Sequence, residues 1–154
     1  MKSILLGMIF CCVSVVCFAS EPSGLKIYQV EDDFADVQDA LKAGIEEQGL
    51  VVKEVSNVGE MLLRTGKDLG ETQVLYAQAV NLEFCSAVYS RKMMAADPFN
   101  LVHCPFVISL FTLPKTPGMV HVMYQVPMAR PGKEAAWVVE MAALLARIVE
   151  DVVD

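Results

Sequence analysis

The residues best suited to chemistry lie between Asn81 and Leu113. Cys85 and Cys104 flank a segment that holds Met93, Met94 and His103, and Glu83 stands two residues before Cys85. Cys85 ends a strand-like run and precedes Ser86, a good helix-capping residue, so its sulfur lies near backbone amides and a helix dipole that stabilise thiolate. Three readings of the pair are compatible with this pattern. A disulfide would close a helix-containing loop and contribute about 3 kcal/mol in the loop-entropy description. Two unlinked thiols would pack as small hydrophobes. A reactive dithiol, or a thiolate ligand, would be functional. The separation is far from the Cys-x-x-Cys of thioredoxin-like centres. Glu83, on the same strand face as Cys85, acts as a base on the thiol, raises the thiol pKa, or is simply an exposed carboxylate, the last two being favoured at this spacing.

Soft donors are plentiful. His103, Cys104, Met93, Met94, His121, Met123 and Met128 supply imidazole, thiolate and thioether, a set suited to Cu(I) or haem iron. The competing reading is that methionines on amphipathic elements fill the core. His121 and Met123 point to the same side of one strand. A hairpin centred on Thr116 pairs His121 with Phe111 and keeps it away from His103, so the two histidines do not converge. The acidic run Glu31, Asp32, Asp33 and Asp36 sits at a helix start, where capping explains it. No Ser/His/Asp arrangement, phosphate loop or zinc spacing is present, which disfavours a classical hydrolase or nucleotide enzyme.

These residues must be placed in a chain of 154, enough for one domain with a real core. Lys2, the uncharged run from Ile4 to Phe18 and the small-residue ending at Ala19 have the form of a secretory signal peptide spanning residues 1–19. The run is shorter than the ~20 residues that cross a bilayer. The expectation is cleavage after Ala19, a single domain over residues 20–154, no membrane association afterwards, and a periplasmic or secreted location. Loss of Lys2 takes the net charge from −7 to −8. An acidic chain without a basic cluster repels phosphate backbones, which excludes nucleic acid as a partner. Of five cysteines only Cys85 and Cys104 survive the cleavage, in a compartment that favours disulfides.

The periodicities then assign elements. Leu25–Val30 reads as a strand. Asp32 or Asp33 caps a helix with Phe34, Val37, Leu41, Gly44 and Ile45 on one face, and Gly49 stops it. A strand over Leu50–Val55 follows, then a short helix capped by Asn57 and closed by Gly66–Gly70. A long strand runs from Val74 to Phe84. Ser86 opens a helix over Ala87–Ala96 that Pro98 ends. A fourth strand covers residues 102–113, with Pro105 requiring an edge or a bulge at its start. After the Pro114–Gly118 turn, a fifth strand over Val120–Val126 runs antiparallel to the fourth. Glu134–Val153 is the strongest helix, with Trp137, Val138, Met141, Leu144, Leu145, Ile148 and Val152 in one stripe. Its flanks are also apolar, so it lies along a concave sheet or additionally packs on a second copy in a homodimer.

Hairpin-linked strands with helices sharing one face give an α+β two-layer sandwich, a curved, mainly antiparallel sheet of about five strands. The central motif, Cys85-Ser-Ala, then Met93-Met94-Ala-Ala-Asp97-Pro98, then Cys104-Pro105 before an apolar strand, resembles the bacterial family called domain of unknown function 302. The likeness covers roughly Leu25 to Val153. It implies a fold similar to that of the TATA-binding protein, and the Cys-Pro order resembles that of exported members. The family brings no catalytic residues to carry over. The functional expectation is an exported accessory or binding domain for a small apolar or sulfur-containing ligand. Cys85 and Cys104 lie beside the pocket, and Glu83, Met93, Met94 and His103 are candidates for its rim. A thiol–disulfide redox protein and a haem or copper carrier, the latter with His121 and Met123, are the alternatives.

Overall fold

The computed structural model describes residues 24–133 and 135–153. The leader expected over residues 1–19, including Ala19, lies outside them, as does Glu134. The chain forms strand β1 (Leu25–Glu31), helix α1 (Phe34–Glu47), β2 (Val51–Ser56), α2 (Val58–Asp68), β3 (Gln78–Cys85), α3 (Ala87–Ala96), a 3-10 helix (Pro98–His103), β4 (Phe106–Leu113), β5 (Thr116–Gln125) and α4 (Ala136–Val153). The five strands form one open sheet in the order β1-β5-β4-β3-β2, every neighbouring pair antiparallel. This is the expected α+β architecture. Among the described residues no helix is long and apolar enough to cross a membrane.

Strict alternation builds the core. Val80, Leu82 and Phe84 of β3, Phe106, Ile108 and Leu110 of β4, and Val120, Val122 and Tyr124 of β5 are all buried on one sheet face. They meet Phe34, Val37, Leu41 and Ile45 of α1 and Trp137, Met141, Leu144, Leu145, Ile148 and Val149 of α4 in a single cluster. Gly44 lets α1 come close to α4, since a Cβ there would lie 3.2 Å from the Ile148 carbonyl oxygen. On the solvent side of α4, Val139 is 72 % exposed.

Local chemistry sets the helix ends. The Asp33 carboxylate accepts from the Ala35 amide at 2.8 Å, Asn57 Oδ1 from Glu60 at 2.9 Å and Ser86 Oγ from Tyr89 at 3.4 Å, each satisfying an amide the first turn leaves free. Gly49, at φ 71°, takes the left-handed turn that ends α1.

Three strand starts differ from the periodic reading. β3 begins at Gln78, because the ladder runs out of partners: Gln78 pairs with Thr112, and β4 ends one residue later in its turn. Val74 and Leu75 are left 48 % and 49 % exposed. Residues 102 and 103, expected to begin the fourth strand, instead complete a 3-10 helix over Pro98–His103. The buried Asn100 side chain donates to the Met93 carbonyl at 2.8 Å, and Asp97 accepts from the Phe99 amide at 3.2 Å, so the chain turns before it can extend. Pro105 precedes β4 and leaves that central ladder intact. β5 begins at Thr116, just beyond a tight turn and a register shift at Thr112/Leu113.

The turn after α3 is also held by charge. Arg130 Nε donates to the Asp97 carboxylate at 2.7 Å, with the Asp97 side chain only 2 % exposed, and the guanidinium carbon lies 4.4 Å from the centre of the Phe99 ring. Arg130 holds the Asp97 carboxyl below its usual range, with the Phe99 amide helping and burial opposing.

Two outcomes follow from this packing. Leu82→Ala, at a fully buried position, costs about 2–5 kcal/mol in urea unfolding, whereas Val139→Ala changes it little. Arg130→Leu lowers the melting temperature at pH 7. A carboxylate with a depressed native pKa stabilises above its unfolded pKa and loses that contribution as pH falls through the native one. The gap between wild type and variant therefore closes on acidification, as calorimetry across pH 7 to 3 would read.

Candidate functional site

Cys85 is the last residue of β3, on the face opposite the core, and Cys104 follows the 3-10 helix directly before the cis Cys104–Pro105 bond. The rung Phe84–Phe106 pairs the two strands and so brings the two flanking sulfurs together. The Sγ atoms are 3.2 Å apart as free thiols, and a disulfide needs them only ~1 Å closer. Ser90, one helical turn past the cap Ser86, puts its Oγ 3.7 Å from the Cys104 sulfur.

The environment does not favour thiolate. The Cys85 thiol is pushed up to about 11, chiefly by burial, then by its hydrogen bond with and proximity to Cys104. Lys53 pulls it down and Glu83 adds a smaller upward push. Proximity to the start of α3 does not overcome burial here. Glu83 accepts a hydrogen bond from Ser56 Oγ at 2.9 Å, which occupies it on the neighbouring strand.

Beside Cys85 an open groove of about 690 Å³ runs between the start of β2 and the first turns of α3. Leu50, Val51, Ala87, Val88 and Tyr89 make its walls mainly apolar, and Lys53 and Lys92 bring the positive charge. Val51 pairs directly with Cys85, and Lys53 is the extra residue of a bulge between Val52 and Glu54. Lys92 also donates to Glu140 of α4 at 2.6 Å, tying α3 to α4.

The other sequence candidates are spread over the molecule. Met93 is fully buried and belongs to the core cluster, so it fills the interior and lines no rim. Met94 lines a separate surface depression with Ser90 and Arg91. His103 lies against Trp137, ring centres 5.9 Å apart, and its Nε2 donates to the Met128 carbonyl at 3.1 Å. His121 and Met123 share the second face of β5, and the His121 ring is stacked on Phe111 at 4.6 Å and 4°, as the hairpin register requires. Among the described residues no three or more His, Cys, Asp or Glu side chains converge as a metal cage.

Lys53, Val51 and Ser90 were the contributors that sequence spacing did not single out. Ser90 had a local signal, its four-residue separation from the cap Ser86. Lys53 and Val51 had none, since their proximity to Cys85 arises from a long-range strand register. One outcome of this geometry is kinetic. In reduced protein, iodoacetamide should alkylate Cys85 slowly at pH 7, with a rate that keeps rising toward pH 11, because only thiolate is nucleophilic. Peptide mapping after timed quenching measures it, and a plateau by pH 8 would contradict the burial argument.

Comparison with known proteins agrees with the fold. No curated protein matches the chain. Among solved structures, the crystal structure of an uncharacterized conserved protein DUF302 from Bacillus stearothermophilus superposes with a TM-score of 0.62 at 15 % identity. The match covers 86 % of this chain and 97 % of that one. The family model described as domain of unknown function DUF302 matches residues 26–152, and the chain therefore belongs to the DUF302 family.

Proposed function

We propose that this is an exported accessory domain that binds a small, mainly apolar ligand in the groove beside Cys85, with Cys85 and Cys104 closed as a disulfide behind it. The observation that carries the reading is the juxtaposition of the apolar wall Leu50, Val51, Val88 and Tyr89 with Lys53 and with a cysteine whose sulfur already touches a second sulfur. Ligand sites are typically apolar clefts in which a few polar groups fix orientation. Lys53 would orient an acidic end of the ligand. The sequence contributes the compartment: a leader-like start, and only two cysteines left after its removal.

A catalytic dithiol is the less favoured reading. Such centres rest on a stabilised thiolate, and the Cys85 thiol is moved the opposite way by burial. A disulfide in this position stabilises by constraining the loop between its ends, about 3 kcal/mol for a loop of this size.

Mass spectrometry and dye binding test both parts. Protein recovered from the periplasm should be two hydrogens lighter than the same protein after reduction. Cys85→Ser should lower the melting temperature by several degrees. An apolar anionic probe, anilinonaphthalene sulfonate, should fluoresce with the wild type and lose most of that signal in Val51→Lys and Lys53→Glu. Equal fluorescence in all three proteins would overturn the groove assignment. A rapid, reversible thiol titration near neutral pH would instead favour the redox reading.

A further inference from the structure

We infer that the second face of the sheet carries a soft-metal site, for Cu(I) or an ion of the same class, built on His121 and Met123 with Met119 next along the same strand. It is separate from the cysteine pair and does not depend on the groove. Along β5 the core-facing residues are Val120, Val122 and Tyr124, at 0 %, 0 % and 3 % exposure. Strand alternation puts Met119, His121 and Met123 on the opposite side, where all three are half-buried. Core filling, the usual role of methionine, does not account for this pair, because the core lies on the other face.

The neighbours favour a soft ion over a hard one. Across β1 the partners of Met123 and His121 are Ile27 and Gln29, and across β4 they are Ser109 and Phe111. No carboxylate is paired with either donor in these rungs; Glu31 is paired with Met119 at the far end. Phe111, the cross-strand neighbour, stacks parallel to the imidazole, and Tyr76 meets Phe111 edge-on at 5.2 Å. The stack fixes the ring and leaves its two nitrogens as the polar atoms of a half-buried side chain. Among the described residues no side chain or backbone group is hydrogen-bonded to either of them.

Imidazole with thioether suits Cu(I), which accepts two or three soft donors, whereas Ca²⁺ and Mg²⁺ need oxygen cages. Same-face neighbours on a strand are roughly 6.6 Å apart. A methionine with three rotatable bonds can lean across that spacing. His121 and Met123 would be the primary donors, and Met119, on the other side of the imidazole, the exchange partner.

Ag(I), a redox-inert analogue of Cu(I), provides the test. The two cysteines are first blocked by iodoacetamide, or removed together by Cys85→Ser and Cys104→Ser, so that thiols do not compete. Calorimetric titration should give one Ag(I) per chain, with the Met123 methyl and His121 ring resonances shifting on binding. Met123→Leu and His121→Phe should each weaken binding at least tenfold, Met119→Leu a few-fold, and Met94→Leu not at all. Circular dichroism establishes that each variant is folded, and Met123→Leu, nearly isosteric, keeps the test valid if His121→Phe is not. Absence of binding in the thiol-blocked protein, or binding that survives both Met123→Leu and His121→Phe, would overturn the assignment.

Discussion

One constraint governs the molecule: only one face of the sheet is buried under the α1–α4 pair. A strand has a side-chain period of two, so once Leu82, Ile108 and Val122 are committed to that layer every residue between them is committed to the other. Asn81, Glu83, Ser109, His121 and Gln29 thereby face away from the core. Their hydrogen bonds, such as Ser109 to Asn81 at 2.7 Å and Ser56 to Glu83 at 2.9 Å, form within that second face. The same rule sorts the reactive groups. Cys85, His121 and Met123 fall on the partly solvated side, whereas Met93 enters the interior from α3.

The sheet edges bring a second division. β1 and β2 are the edge strands, and an open edge is a liability unless it is interrupted or charged. β2 is short and carries a bulge at Lys53. A bulge bends the strand and re-aims side chains, and here it puts an ammonium group beside the groove that Cys85 borders. The edge protection and the polar group of the candidate site are thus one feature. β1 is instead joined to α4 by side chains: the Tyr28 hydroxyl donates to Glu150 at 3.3 Å, and its ring stacks on Tyr124.

What could be read from the residues was what depends on near neighbours. Asp33, Asn57 and Ser86 cap helices because a cap needs only the next two or three amides. The pairing of His121 with Phe111 follows from a hairpin centred on Thr116; the turn itself is tighter, with Leu113 opposite Thr116, and the register shift at Thr112/Leu113 restores that centre. The start of β3 was harder. Val74–Tyr76 has strand periodicity, but its partner strand ends at Leu113, a fact of tertiary structure. Residues 102 and 103 read as strand but complete the 3-10 helix, because the turn rests on Asn100 reaching back to the Met93 carbonyl and on Arg130 reaching Asp97 from 33 positions away. For the site, the strand–helix–strand order anticipated that Cys85 and Cys104 lie at adjacent element ends. The placement of Val51 and Lys53 beside them depends on the β2–β3 register, for which no local pattern exists. Met93 and Met94 are adjacent in sequence, so helical spacing alone could not decide which of them turns inward.

The position of the cysteine pair determines what its oxidation can change. Phe84 and Phe106 are already paired across β3 and β4 next to it, so a bond between the sulfurs adds little to the alignment of the strands. What it closes is the segment between them, α3 and the 3-10 helix. That segment has its own anchors when reduced: Met93 in the core, Asn100 on the Met93 carbonyl, and Asp97 on Arg130. Oxidation therefore acts chiefly on the entropy of the unfolded segment and leaves the native arrangement where the other contacts already hold it. An oxidised state would share this fold and differ in the stability of the segment that carries α3, one wall of the groove. With or without a bond between the sulfurs, the α3 wall of the groove rests on those anchors, so ordering that would otherwise oppose binding is completed on folding.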